Sequence, residues 1–132
     1  MSRGSEQAQL FLRKAASDEA ALDAVIDAPE VTDDIFGFHC QQAAEKLLKA
    51  VLSHLQASFR HTHDLRNLMD LLADGGVPLP TPFDSLKDLN IYAVQFRYED
   101  VPAQVQLDRR STRQLIRDLR AFVESKMTPP ST

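Results

Sequence analysis

Imidazole is the side chain that exchanges a proton near neutral pH without a large shift. Acid–base chemistry in this 132-residue chain would therefore begin at its four histidines, His39, His54, His61 and His63. His39 belongs to a polar strip with Gln42, Glu45 and Lys46, whose spacing of three and four aligns them along a helix. Such a strip can line a polar pocket, or it can face water while the intervening Ala and Leu residues pack. His63-Asp64 can shape the same pocket, or simply open a helix with the acid at its positive end. Arg97-Tyr98 offers a planar fork of donors for a phosphate or carboxylate, beside a ring that can stack or donate. The plainer reading pairs Arg97 with an internal acid and packs Tyr98 at a helix end.

Other chemistries fit less well. A metal set drawn from His39, Cys40, His61 and His63 is opposed because adjacent residues 39 and 40 point to different helix faces, and no His-Glu-x-x-His pattern is present. No metal or other cofactor is expected. Cys40 is the only cysteine, so an intramolecular disulfide is impossible, and its apolar setting predicts a small buried hydrophobe. No serine sits in a nucleophile elbow, and no glycine-rich phosphate loop follows a strand. A basic stripe, Arg110, Arg113, Arg117 and Arg120, recurs at three or four residues near the C-terminus. It can bind phosphates or an acidic partner. Glu19, Asp23 and Asp27 form an acidic counterpart at four-residue intervals. If the two stripes meet across a twofold axis they support a homodimer; if they meet within one chain they are ordinary surface pairs.

The elements that must position these residues are helical. Ser5 predicts the cap of a first helix reaching about Asp27, before Pro29, with Leu12, Leu22, Val25 and Ile26 inward. Thr32 predicts the N-cap of a second, stapled by Val31 onto Phe36 and running to about Ala57. Its stripe is Cys40, Ala43, Ala44, Leu47, Leu48, Val51 and Leu55. A third helix follows Thr62-His63, with Leu65, Leu68, Met69 and Leu72 inward and Gly75-Gly76 as its stop. Thr81 caps a fourth with Pro82 in its first turn, and Leu86, Leu89, Ala93 and Phe96 inward. A fifth spans about Asp108 to Lys126, with Leu115, Leu119, Phe122 and Val123 inward. No stretch shows sustained two-residue alternation, so the fold class is all-α, an antiparallel bundle of four to five helices.

A chain of this length with 43% hydrophobic residues suits a single domain, here residues 1–127 with a frayed 128–132 tail. No apolar run approaches the roughly 20 residues of a membrane span. The N-terminal segment lacks the apolar core of a secretory signal, and a cytoplasmic location is expected. A net charge of −4 argues against generalised nucleic-acid affinity but leaves a local site open.

Three segments carry a family resemblance in order and spacing: Phe36-Gly-Phe-His-Cys-Gln-Gln-Ala-Ala-Glu-Lys-Leu-Leu-Lys-Ala-Val-Leu52, Phe59-Arg-His-Thr-His-Asp-Leu65 and Tyr92-Ala-Val-Gln-Phe-Arg-Tyr-Glu-Asp100. Together they resemble the HEPN family of small all-helical prokaryotic domains, which implies the same bundle. Many HEPN domains are metal-independent ribonucleases marked by an arginine followed four to six residues later by a histidine. Here Arg97 best matches that arginine, and no histidine follows it. The Arg-Tyr pair instead resembles a branch lacking the ribonuclease signature and often linked with minimal nucleotidyltransferases. That resemblance implies a nucleotidyltransferase-type protein partner or a nucleotide ligand; with the ribonuclease pair absent and the charged stripes present, the expected function is a non-catalytic association module acting as a dimer. An atypical nucleotide- or RNA-processing enzyme and a bare interaction bundle are the alternatives. The cleft expected from the residues is His39, Gln42, Lys46, His63, Asp64, Arg97 and Tyr98, followed by the Arg110–Arg120 face.

Overall fold

Helix α2, Asp33–His54, is apolar around most of its circumference, and a helix of that kind belongs in the middle of a bundle. The computed structural model describes residues 3–59, 61–93 and 107–127, and there α2 packs against every other element. These are α1 (Arg3–Val25), α3 (Leu65–Asp74), a 3-10 helix (Thr81–Tyr92) and α4 (Arg109–Met127). Among the described residues there is no strand. The fold is an all-α bundle. Phe96, Arg97, Tyr98, Arg60 and the 128–132 tail lie outside the described residues.

Local chemistry sets the helix ends. Thr32 precedes α2 in an extended conformation, but its hydroxyl makes no capping bond; the first turn is served by Thr32 O, which accepts from Ile35 and Phe36, and by the charges of Asp33 and Asp34. Asp64 caps α3 by accepting from the Arg66 N–H at 3.0 Å, and Asp108 caps α4 by accepting from the Ser111 N–H at 3.1 Å. At the far end of α3, Gly76 takes φ +89, and the Val77 N–H turns back to Leu72 O at 2.8 Å. That left-handed residue favours glycine, as the Gly75-Gly76 stop implied. Ser5 is not a cap, because α1 already includes it.

The expected fourth helix is present with Pro82 in its first turn, but Thr81 is not its cap, since the helix already includes it and follows Pro80, and it is wound as a 3-10 helix of 12 residues. Its Phe83, Leu86, Leu89 and Tyr92 are buried, a three-residue repeat that the tighter winding stacks on one side. The core contains the predicted Leu22, Cys40, Leu47, Leu48, Val51, Leu65, Leu68, Leu72 and Leu119, together with Ala15 and Ile116. Leu55 was expected inside; it lies just beyond α2 and is 39% exposed. The α1 inner face also differs: Ala8, Ala15 and Leu22 are fully buried at seven-residue spacing, while Leu12, Val25 and Ile26 pack at its margin.

Gly37 lies where the 3-10 helix crosses α2, and a Cβ there would overlap the ring of Tyr92. Exchange for alanine has two opposing effects, a helix-propensity gain of about 1 kcal/mol and an overpacking cost of about 1–3 kcal/mol. Both the ring and the helix backbone are buried, so the second effect is expected to win. Gly37→Ala should lower the urea midpoint, and Tyr92→Leu in the same chain should restore part of it; a raised midpoint in the single variant would contradict this packing.

Candidate functional site

The polar residues of α2 divide into two clusters. On the α1 side, the buried Asp18 carboxylate takes His39 Nδ1 at 3.0 Å on one oxygen and Lys46 Nζ at 2.6 Å on the other. His39 and Lys46 therefore tie α2 to α1. On the neighbouring face of the helix, Glu45 Oε1 meets His63 Nδ1 at 2.9 Å and accepts from Gln41 Nε2 at 3.0 Å, while Glu45 Oε2 accepts from Lys49 Nζ at 2.9 Å. Gln41 also donates to His63 O at 2.9 Å, and Gln42 Nε2 donates to Gln41 Oε1 at 2.7 Å. The expected single pocket is thus split: Gln42 joins the His63 cluster through Gln41, whereas His39 and Lys46 belong to Asp18. Arg97 and Tyr98, the remaining expected members, lie outside the described residues.

The His63 cluster has a buried base and an open mouth. Gln41, Glu45 and Lys49 are at most 4% exposed, whereas the His63 side chain is 43% exposed. An ionised carboxylate only accepts, and Glu45 is already shared by an ammonium and an amide, so the proton on the His63–Glu45 contact belongs to Nδ1. Among the described residues, Nε2 is then the imidazole nitrogen not used in this network. His63 lines a cleft of about 400 Å³ together with Thr62, Asp64, Asn90 and Ala93. One wall is fixed by Asn90, whose Nδ2 donates to Asp64 Oδ1 at 3.0 Å while its Oδ1 accepts from the Leu65 N–H at 2.9 Å. Thr62 Oγ1 accepts from the Asp64 N–H at 3.1 Å, and His61 meets the His63 ring edge-on at 5.4 Å.

The arginine stripe is answered within the chain. The α1 acids and α4 arginines run antiparallel as a ladder: Arg110 pairs with Asp27 at 2.7 Å, Arg113 with Asp23 at 2.6 Å and Glu19 at 3.3 Å, Arg117 with Asp23 at 3.3 Å, and Arg120 with Glu19 at 2.6 Å. Meeting in this way removes the stripe contact as an argument for a homodimer. Nor are all of them ordinary surface pairs, since the Arg113 and Glu19 side chains are only 6% and 8% exposed. Arg109 closes the end of the ladder. Its guanidinium donates to Val25 O, Ala28 O and Val31 O, pairs with Asp33 and lies over Phe36.

Sequence reasoning missed Gln41, Lys49 and Asp18 as network members. The available signal was a four-residue step, Gln41-Glu45-Lys49, within an apolar helix, since buried charges must be paired. Cys40 is buried as expected, and that burial pushes its thiol up to about 12, outweighing the opposing charge of Arg113. Burial likewise raises the Tyr92 phenol, with Asp33 and Asp34 adding to the shift. Among the described residues no group of three His, Cys, Asp or Glu side chains is placed to hold a metal ion, and no helix is long and apolar enough to cross a membrane.

With the bundle and its central α2 in place, the sequence resemblance has an independent counterpart: a family model described as HEPN domain matches residues 8–127. The chain belongs to the HEPN family. No curated protein and no solved structure matches it.

Three outcomes test these environments. Arg113→Ala removes a buried cation but leaves Arg120 on Glu19, so the loss should fall near the low end of the cost of breaking a buried pair, about 3 kcal/mol. Arg110→Ala, at a fully solvated pair, should cost less than about 0.5 kcal/mol by the same chemical denaturation. The Arg113 hydrogen bond holds the Asp23 carboxyl below its ordinary value of 3.8. A depressed folded value stabilises the protein above the ordinary carboxyl range, and that contribution is lost as the pH falls through the folded value. The gap between wild type and Arg113→Ala should therefore narrow in acid; a widening gap would contradict the pairing. Cys40 should resist a thiol reagent in the native protein and react at the rate of unfolding. Rapid native labelling would contradict its burial.

Proposed function

We propose that this chain is a non-catalytic HEPN association module, dimeric in solution, that works beside a nucleotidyltransferase-type partner or a nucleotide-containing ligand, with the His63 cleft as its ligand-facing site. The observation that carries the reading is the half-exposed His63 imidazole, anchored through Nδ1 on buried Glu45 at the mouth of a polar cleft. Anchoring of this kind orients a recognition group with little rotamer entropy left to lose on binding. The sequence adds that no histidine follows Arg97, so the arginine–histidine pair of HEPN ribonucleases is missing from its usual place. Arg97 and Tyr98 enter this proposal through the family resemblance. Self-association, like Arg97 and Tyr98, enters this proposal as an expectation of the sequence reading.

One observation favours a second reading. A carboxylate holding an imidazole by Nδ1 is the arrangement used to orient a general base. An atypical nucleotide- or RNA-processing enzyme would use His63 in that role.

A thermal scan against ATP, GTP, CTP, UTP and short RNA, with light scattering for mass, tests both. The association reading predicts twice the chain mass, a raised melting temperature with at least one nucleotide, and loss of that shift in His63→Ala, because a ligand that prefers the native state must stabilise it. Cleavage of a mixed RNA pool without added metal, abolished in His63→Ala, would replace it with the enzyme reading. A flat scan with every nucleotide would remove the nucleotide site.

A further inference from the structure

A second cleft opens at the end of α2, where the helix stops beside the first turns of α1. It holds about 540 Å³ and is lined by Gly4, Gln7, Ser53, Gln56, Ala57 and Phe59. Two observations set it apart from an ordinary surface hollow. Ser53 is only 6% exposed, and among the described residues its hydroxyl enters no hydrogen bond. Because no buried side-chain oxygen there lacks a partner, that hydroxyl is not sealed in the core but opens on the cleft. Gln56 supplies the second observation: its φ of +58 is the one positive value at a non-glycine residue among the described residues. It closes α2 by the same turn with which Gly76 closes α3, since the Ala57 N–H returns to Leu52 O at 2.9 Å as the Val77 N–H returns to Leu72 O at 2.8 Å. Glycine is the ordinary choice at that position, so the chain keeps the glutamine side chain against backbone preference. Residues held in this way collect at ligand clamps.

The lining offers a ring together with donors and acceptors. Phe59 is half-buried and braced by Phe11, with ring centroids 6.4 Å apart. Gln7 and Gln56 are exposed, and among the described residues neither side-chain amide is engaged, so each can present a donor beside an acceptor. A planar heterocycle with the complementary edge satisfies this set, its face on the Phe59 ring and its edge on an amide. Adenine has that edge in its N6 donor and N7 acceptor, whereas guanine presents two acceptors there. We infer that this cleft binds the adenine base of a nucleoside or mononucleotide, with Phe59 as the stacking platform, Gln56 as the pairing residue and the Ser53 hydroxyl as a further hydrogen-bonding group. Its volume is that of a small-ligand site, and a net charge of −4 disfavours a nucleic-acid strand as the source of the base. The site is separate from the His63 cleft: Ser53 stands twelve residues beyond Gln41 along α2, about 18 Å at the helical rise, and Gln41 is the residue bonded to His63 O. The inference therefore does not depend on the reading of that cleft.

Calorimetric titration of the full chain with adenosine, AMP, guanosine and the trinucleotide ApApA tests the assignment. Adenosine and AMP should bind alike, guanosine about fivefold or more weakly, and ApApA no more tightly than AMP. Phe59→Leu should weaken adenosine about fivefold or more, the range of a lost stacking contact. Gln56→Gly separates recognition from folding, because it removes the side chain where glycine is favoured. Its urea midpoint should hold or rise, while adenosine affinity falls about fivefold or more and the adenosine-to-guanosine ratio moves toward one. His63→Ala should bind adenosine as the wild type does; an adenosine shift kept in that variant and a UTP shift lost in it would assign the two clefts separately. No binding of adenosine, loss of its binding in His63→Ala, or unchanged affinity in a folded Gln56→Gly variant would overturn the adenine site. Tighter binding of ApApA than of AMP would overturn the mononucleotide as its ligand.

Discussion

Besides Ser53, helix α2 must bury the larger polar side chains Gln41, Glu45 and Lys49 within the faces it presents to the rest of the bundle. A buried charge without a partner would cost several kcal/mol, comparable to much of a small domain's net stability of about 5–15 kcal/mol. The solution is mutual satisfaction. Lys49 and Gln41 both reach Glu45, and the residual capacity of Glu45 captures His63 from the segment that leads into α3. Among the described residues no buried side-chain nitrogen or oxygen lacks a hydrogen-bond partner. The requirement to satisfy α2 thus fixes where His63 must stand, and with it one wall of the cleft.

A second network sets how the long helices are aligned. Apolar side chains can slide past one another with modest loss, but Arg113 fits between Asp23 and Glu19 in one register. Arg109 adds a fixed point by gathering the carbonyls at the end of α1 and in the turn to α2. These contacts also change the meaning of the basic stripe. A face that looks suited to phosphates is, at Arg113 and Arg120, committed to α1 acids inside the same chain. Specificity of assembly is what such buried pairs are best placed to provide, since their net stabilisation is small once desolvation is counted.

The helical class was legible because apolar spacing reports burial directly, as at Cys40, Leu47, Leu48 and Val51. Turn chemistry was legible where one residue type is strongly preferred, as at Gly76 and Asp64. The winding of Thr81–Tyr92 was not: residues three apart serve both helix types, and tertiary packing of Phe83, Leu86, Leu89 and Tyr92 decides between them. At the candidate site, His63-Asp64 was recognisable, but the partition of His39 and Lys46 toward Asp18 was not, because a helix strip shows which residues are neighbours and not which flanking helix answers them. Glu19 was read as part of an acidic stripe and Asp18 was not singled out; only the fold shows that Asp18 holds His39 and Lys46 of α2 and that Glu19 holds Arg113 and Arg120 of α4.

The reading of the His63 cleft turns on the direction of one hydrogen bond, from His63 Nδ1 to Glu45. A long-range proton–nitrogen correlation spectrum of the imidazoles, with His63→Ala to assign the signals, reads that direction without any ligand. The account predicts that neutral His63 carries its proton on Nδ1 and leaves Nε2 bare. A neutral His63 protonated on Nε2 would contradict it, because Glu45 would then receive no proton from the ring and the imidazole would not be anchored on the carboxylate in this way.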